Sequence, residues 1–277
     1  MDKCIVTIAI GETYQKSWTR TYKSCMEAYA SRHGYDLVAI YDYLDDGSLA
    51  RARAPHWQKL LILEHPQVRK YRHVVWIDAD ILINYHTAPC IVAATGETEK
   101  IGVVTYSQAE AGTPRQVDNR YNRRHDTKGG YPDFSAWYRS HGIAGPGDPS
   151  VNDFINTGVL VLQPRYHAEI LRWVYDNAKE TKNTHQENGP LSYHIFRRDL
   201  ATPIDPRFNV SWNNEIVEHY PFLMARNNFY DKRLLRLCVN AAWHNSFFLH
   251  FIGTEARSAV DLVLTDRTTA INLEIKD

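Results

Sequence analysis

The chain has 277 residues, of which 44% are hydrophobic and 23% charged, an ordinary globular composition with room for one large domain or two small ones. Lysine plus arginine balances aspartate plus glutamate at 32 each, so no net charge draws the chain to nucleic acid or to an anionic membrane. No run reaches the roughly 18 apolar residues of a membrane span, and the start lacks the long apolar segment and small-residue cleavage site of a secretory signal. Cys4, Cys25, Cys90 and Cys238 are scattered with no Cys-x-x-Cys pair, which argues against a zinc ribbon or a thioredoxin-like site and fits buried free thiols.

Residues 4–10 form an apolar run of strand length, broken at Gly11-Glu12-Thr13. From Ser17 to His33, Trp18, Tyr22, Met26, Tyr29 and Ala30 recur at helical spacing, and Gly34 stands where a helix stop is expected. Tyr35 to Tyr41 is a second strand. Strand, helix, strand at this length predicts a βαβ unit and a parallel sheet. No Gly-x-Gly-x-x-Gly follows the first strand, which argues against a dinucleotide cofactor of the usual kind. After a polar loop, Pro55 precedes a short amphipathic helix, His56 to Leu63, on which Lys59 reads as a solvated charge.

His73 to Asn84 is the most informative stretch. Val74-Val75-Trp76-Ile77 predicts a buried strand, and it ends in Asp78-Ala79-Asp80. Two carboxylates at the carboxyl edge of a sheet lie where α/β proteins bind ligands. Their oxygens suit Mg²⁺ or Mn²⁺. A polar turn after a strand would look the same, and the spacing alone does not separate the two. A short helix at Ile91–Thr95 and a strand at Ile101–Tyr106 follow. Residues 107–150 carry Gly, Pro, Arg and Asn, show no clear period beyond Phe134 to Tyr138, and form a long insertion. Within it, Tyr131, Phe134, Trp137 and Tyr138 predict a local apolar cluster in preference to a stacking platform. Asp153 to Leu162 is a polar turn and a strand, residues 166–178 a helix, and Gln186 to Phe196 another helix. The last third alternates short apolar runs with Asn, Pro and Arg, and ends its ordered pattern at Phe247 to Gly253.

Six of these stretches occur in a telling order: Tyr29-Ala30-Ser31-Arg32-His33-Gly34-Tyr35-Asp36-Leu37, His56-Trp57-Gln58-Lys59-Leu60, Trp76 to Asn84, Asn156-Thr157-Gly158-Val159-Leu160, Gln186-Glu187, and His250-Phe251-Ile252-Gly253. In this order the chain resembles the galactosyl-, mannosyl- and xylosyltransferase family of the yeast α-1,2-galactosyltransferase and the plant xyloglucan xylosyltransferases. More distantly it is similar to the glycogenin and lipopolysaccharide galactosyltransferase family. The resemblance implies a GT-A fold, a Rossmann-like α/β sandwich with a mostly parallel central sheet flanked by helices, spanning 1–277 as one domain. It implies retaining transfer from a nucleotide sugar, a UDP-sugar, with Mn²⁺ or Mg²⁺, to a hydroxyl of a glycan or similar acceptor. The insertion and the last third would shape the acceptor site.

Carried over by position, the resemblance makes Asp80 the main metal ligand, Asp78 a ligand to the metal or the ribose, and His250 a distant third ligand. Thr7, Ile8 and Ala9 would line the uracil and ribose pocket, with Ala79 and Gly253 beside the nucleotide and Lys59 near it. Asn156 and Gly158 would lie by the donor sugar. Gln186 would offer its amide oxygen to an oxocarbenium-like sugar, while Glu187 or Asp153 would do so more strongly, even as a nucleophile, so front-face and two-step routes both stand. Arg257 falls one position late for the lysine that follows His-x-x-Gly in the glycogenin-like enzymes. The family's Golgi members carry an anchor, so the chain reads as a cytoplasmic relative or a lumenal catalytic fragment. Two other functions fit the same elements: a nucleotidyltransferase acting on sugar phosphates, and a catalytically silent subunit that binds a nucleotide sugar.

Overall fold

A computed structural model describes residues 2–109, 133–179, 186–224, 231–253 and 259–265. The central sheet has six strands: β1 (Lys3–Ile8), β2 (Asp36–Ile40), β3 (His73–Ile77), β5 (Ile101–Thr105), β6 (Ile155–Leu162) and β7 (Ala201–Pro203). A second sheet of three strands contains β4 (Ile81–Ile83), β8 (Val210–Ser211) and β9 (Phe248–His250). The large sheet runs in the order β2-β1-β3-β6-β5-β7. β2, β1 and β3 are parallel, β6 is antiparallel to both neighbours, and β7 is again parallel to β5. The expected mostly parallel α/β sandwich is therefore the fold found, with one reversed strand at its centre.

Period-two patterning explains how both faces of this sheet are covered. Ile5, Val75 and Ile77 face one core together with Trp18, Tyr22, Met26 and Tyr29. Cys4, Val6, Val74 and Trp76 face the other, against Leu60 to Leu63 and the helix Pro164–Asn177. Phe134, Tyr138, Val151 and Tyr193 make a third, small cluster with Trp137 packed on it. This bears out the apolar-cluster reading for the described aromatics of the insertion. Tyr131 and residues 110–132 lie outside the described residues.

Three expectations about local structure need correction, and one is extended. The first helix starts at Glu12, directly after Gly11 with its positive φ of 91°, and continues through a wide π turn at Trp18–Tyr22 into Lys23–His33. Glycine alone breaks the chain there, because only its backbone adopts that angle without strain. The run Pro55–Glu64 is not amphipathic: it forms 3-10 turns, and every residue from Trp57 to Leu63 is buried, wedged between the sheet and the helix Pro164–Asn177. Within the insertion, the periodic stretch Phe134 to Tyr138 extends into a helix, Phe134–Ser140, whose first turn is capped by Asp133. The last third contains a 14-residue helix, Lys232–Asn245, that burying Leu235, Cys238, Val239, Ala242 and Trp243 stabilises. Asp231 caps it by accepting from the amides of Arg233 and Leu234.

All four cysteines are free thiols. Among the described residues no helix is long and apolar enough to cross a membrane.

His194, on the helix Asn188–Arg197, packs its ring 4.6 Å from that of Trp173. Burial, reinforced by Arg198 and Arg197, pulls its pKa down from 6.5 to about 4. The unfolded chain therefore binds this proton first as pH falls, and the fold loses stability between about pH 6.5 and about 4. The melting temperature should drop across that window, and His194→Phe should make the drop shallower. An equal drop in the variant would show that His194 contributes nothing to it.

Candidate functional site

The reversed strand assembles the site. Because β6 runs opposite to β3, the start of β6 lies beside the end of β3, with Ile77 paired to Val159 and the Asp78 amide donating to the Gly158 carbonyl at 2.8 Å. Asn156-Thr157-Gly158 thus meets Asp78-Ala79-Asp80 at one edge of the sheet. β1 ends at the same edge. Its Val6 pairs with Trp76, which carries Thr7, Ile8 and Ala9 alongside Ile77 and Asp78. Thr7 and Ala9 are buried and Ile8 half-buried.

The small sheet supplies the distant residue. β4 follows Asp80 directly and pairs antiparallel with β9, setting Ile81 opposite His250, while the Phe251 amide donates to the Asp80 carbonyl at 3.0 Å. Two residues separated by 170 positions are thereby brought into contact: His250 Nε2 lies 3.2 Å from Asp80 Oδ1 and 3.8 Å from Asp78 Oδ2. One ligand atom from each of Asp78, Asp80 and His250 fits within a mutual distance of 4.8 Å. Two adjacent ligands on an octahedral ion at about 2.1 Å are themselves about 3.0 Å apart, so the spacing suits a divalent cation. One imidazole and two carboxylates are also a fitting donor set for Mn²⁺ or Mg²⁺.

Behind Asp78 lies a buried ammonium. Lys59 is only 4% exposed. Its Nζ lies 3.1 Å from Asp78 Oδ1 and 2.7 Å from Glu187 Oε1, and donates to the Thr157 hydroxyl at 3.3 Å. Burial pushes the Lys59 pKa down, but Asp78 and then Glu187 push it up by more, and it stands above its ordinary value. Burial raises the Glu187 pKa, and Lys59 more than reverses this. Both groups stay charged. The solvated charge expected from a short amphipathic helix is instead a buried strut, because Trp57 to Leu63 has no solvent face. Asp78 Oδ1 also accepts from Trp76 Nε1 at 2.9 Å. Oδ1 is thus held from behind by two donors while Oδ2 faces His250. Among the described residues, and with the carboxylates ionised, Asp78, Asp80 and Glu187 outnumber Lys59 by two charges, which a divalent ion would offset.

The other expected residues divide by placement. Gly158 lies directly under the imidazole: a Cβ there would come within 2.4 Å of His250 Cε1, so only glycine leaves the ring its place. The Asn156 side chain accepts from the Gly158 amide at 3.1 Å. Glu187 is 1% exposed and engaged by Lys59 and Thr157. Asp153 accepts from the hydroxyl and amide of Ser107 and from the Phe154 amide, which closes the turn after β5. Gln186 is half-buried with φ at +58°, a left-handed backbone uncommon outside glycine. Ala79 is half-buried between the two aspartates, and Gly253 has a positive φ of 86° just past β9. Arg257 lies outside the described residues.

Three contributors were not expected from sequence. Trp76 shares the strand face of Asp78 at i and i+2, a spacing that could have revealed it. The Thr157 side chain joins Lys59 to Glu187, and Asn209 Oδ1 lies 3.0 Å from His250 Nδ1. Asn209 has no sequence signal, because only the pairing of β8 with β9 brings it near.

The sequence matches no family model and no curated protein. The fold has clear relatives among solved structures. A glycosyltransferase involved in the glycosylation of the major capsid of PBCV-1 aligns over 94% of this chain and 100% of its own, with a TM-score of 0.55 and 17% identity. The WbbM bifunctional glycosyltransferase aligns over 91% of this chain and 46% of its own, with a TM-score of 0.51 and 16% identity. The chain has a GT-A fold. At these identities the likeness extends to the fold alone.

Removing the strut should be costly. Lys59→Met leaves the Glu187 carboxylate buried without a cation and should cost about 3–5 kcal/mol. Urea denaturation should show Lys59→Met/Glu187→Leu recovering much of that loss. If the double variant is as unstable as the sum of the two single ones, the charges are not coupled.

Proposed function

We propose that this chain is a metal-dependent retaining glycosyltransferase that moves a sugar from a nucleoside-diphosphate sugar, a UDP-sugar, to a hydroxyl of a glycan or similar acceptor. The observation that carries the proposal is the meeting of Asp78, Asp80 and His250 at the ligand-binding edge of a sheet with a glycosyltransferase fold. The ordered motifs add the narrower kinship with the retaining galactosyl-, mannosyl- and xylosyltransferases.

In this reading Asp80 and His250 hold the cation directly, and Asp78 joins them through Oδ2. Lys59 and Trp76 hold Asp78 Oδ1 from behind and leave Oδ2 facing His250. When bound, the cation supplies charge neutralisation to the leaving diphosphate. Thr7, Ile8 and Ala9 form the wall against which the base and ribose rest, with Ala79 and Gly253 on the nucleotide's other side. Asn156 lies beside the sugar. Gln186 offers its amide oxygen to positive charge developing at the sugar carbon. We prefer Gln186 to Glu187 and Asp153 for this, since Lys59 and Thr157 engage buried Glu187, while Ser107 and Phe154 engage Asp153. This favours the front-face route over a covalent one.

The protein should be incubated with Mn²⁺ and a panel of nucleotide sugars, and the slow release of nucleoside diphosphate followed without acceptor. One donor should be turned over, EDTA should stop turnover, and Asp80→Asn should lower it by at least about 100-fold. Pyrophosphate as the product would instead identify a nucleotidyltransferase. Tight donor binding with no turnover on any acceptor would identify a silent binding subunit.

A further inference from the structure

The contacts behind His250 determine which ring nitrogen carries its proton. The backbone carbonyl of Asn156 can only accept a hydrogen bond. It accepts from the side-chain nitrogen of Asn209 at 2.9 Å. This fixes the orientation of the Asn209 amide, since the flipped side chain would set its oxygen against that carbonyl. The amide oxygen therefore lies on the other side, 3.0 Å from His250 Nδ1. That oxygen also can only accept, so Nδ1 must be the protonated nitrogen. In the neutral ring the lone pair is then on Nε2, and Nε2 is the atom facing Asp80 at 3.2 Å and Asp78 at 3.8 Å. A lone pair aimed at carboxylate oxygens is repelled unless a cation lies between them.

We propose that Asn209 is a positioning residue: its amide holds neutral His250 as the Nδ1–H tautomer and so presents Nε2 to a divalent cation at Asp78 and Asp80. The proposal rests on the metal-dependent reading above and adds to it the residue that prepares the ligand. A second hydrogen bond of this kind typically fixes ring orientation and raises ligand basicity. The fold gives Asn209 the rigidity the role needs. It is 2% exposed, ends the short turn Pro206–Asn209 capped by Asp205, and precedes β8, whose Ser211 is paired with His250. Gly158 closes the other side of the ring, so neither face can swing freely.

The test combines tautomer and affinity. Long-range proton–nitrogen NMR on metal-free, ¹⁵N-histidine-labelled protein, at a pH where His250 is neutral, should show Nδ1 protonated. An Nε2–H tautomer would overturn the proposal without any variant having to fold. Mn²⁺ titration followed by EPR should then show Asn209→Leu binding about 10- to 100-fold more weakly than wild type. Asn209→Asp keeps an acceptor at Nδ1 but sets its other oxygen against the Asn156 carbonyl, and its affinity should fall clearly less than that of Asn209→Leu. Unchanged affinity in Asn209→Leu, or an equal fall in both variants, would reduce Asn209 to a structural residue. Wild-type protein that binds no Mn²⁺ would instead overturn the metal-dependent reading, and the tautomer would still decide the role of Asn209.

Discussion

A buried ammonium between two carboxylates holds the candidate site together. Lys59 comes from the wedge under the sheet, Asp78 from the end of β3 and Glu187 from the start of a helix, and Lys59 and Glu187 are buried where they meet the partly exposed Asp78. A charge buried there is tolerable only if it is paired and hydrogen-bonded. The pairing therefore ties three elements together and leaves Asp78 no freedom to turn. Its second oxygen and the Asp80 carboxylate face His250. The site thus separates into a neutralised rear half and a front half rich in negative charge.

Two strand pairings produce the front half. The antiparallel pairing of β6 with β3 lays Gly158 next to Asp78, and the pairing of β4 with β9 sets His250 next to Asp80. Gly158 has no side chain because the imidazole occupies that space. Asn156-Thr157-Gly158 also serves as a bed for the residues around it. Asn156 anchors Asn209 through its carbonyl, Thr157 joins Lys59 to Glu187, and Gly158 makes room for His250.

How much of this the sequence disclosed follows from the range of each interaction. The alternation of Val74, Val75, Trp76 and Ile77 is local, and it revealed a strand covered on both faces. The helix around Trp18 to Ala30 was equally legible, although the π turn hid its true start. The burial of Lys59 is not legible locally, because its surroundings come from β3, β6 and a helix far along the chain, and nothing at positions 56–63 reports that all sides are covered. The direction of β6 was also invisible, since antiparallel and parallel buried strands share one composition. The helix Lys232–Asn245 differs in kind. Its Asp cap and its apolar positions at 235, 238, 239, 242 and 243 are local signals, diluted by the polar residues between them. His250 was placed by resemblance, whereas Asn209 depended wholly on strand register.

The central claim is that Asp80 and His250 bind the same ion. Crystals of the protein grown with Mn²⁺ and measured near the manganese absorption edge address it directly. The account predicts an anomalous peak about 2.1 Å from both Asp80 Oδ1 and His250 Nε2, with Asp78 Oδ2 completing the protein ligands. A peak elsewhere, or a direct Asp80–His250 contact persisting at saturating Mn²⁺ with no ion between them, would contradict it.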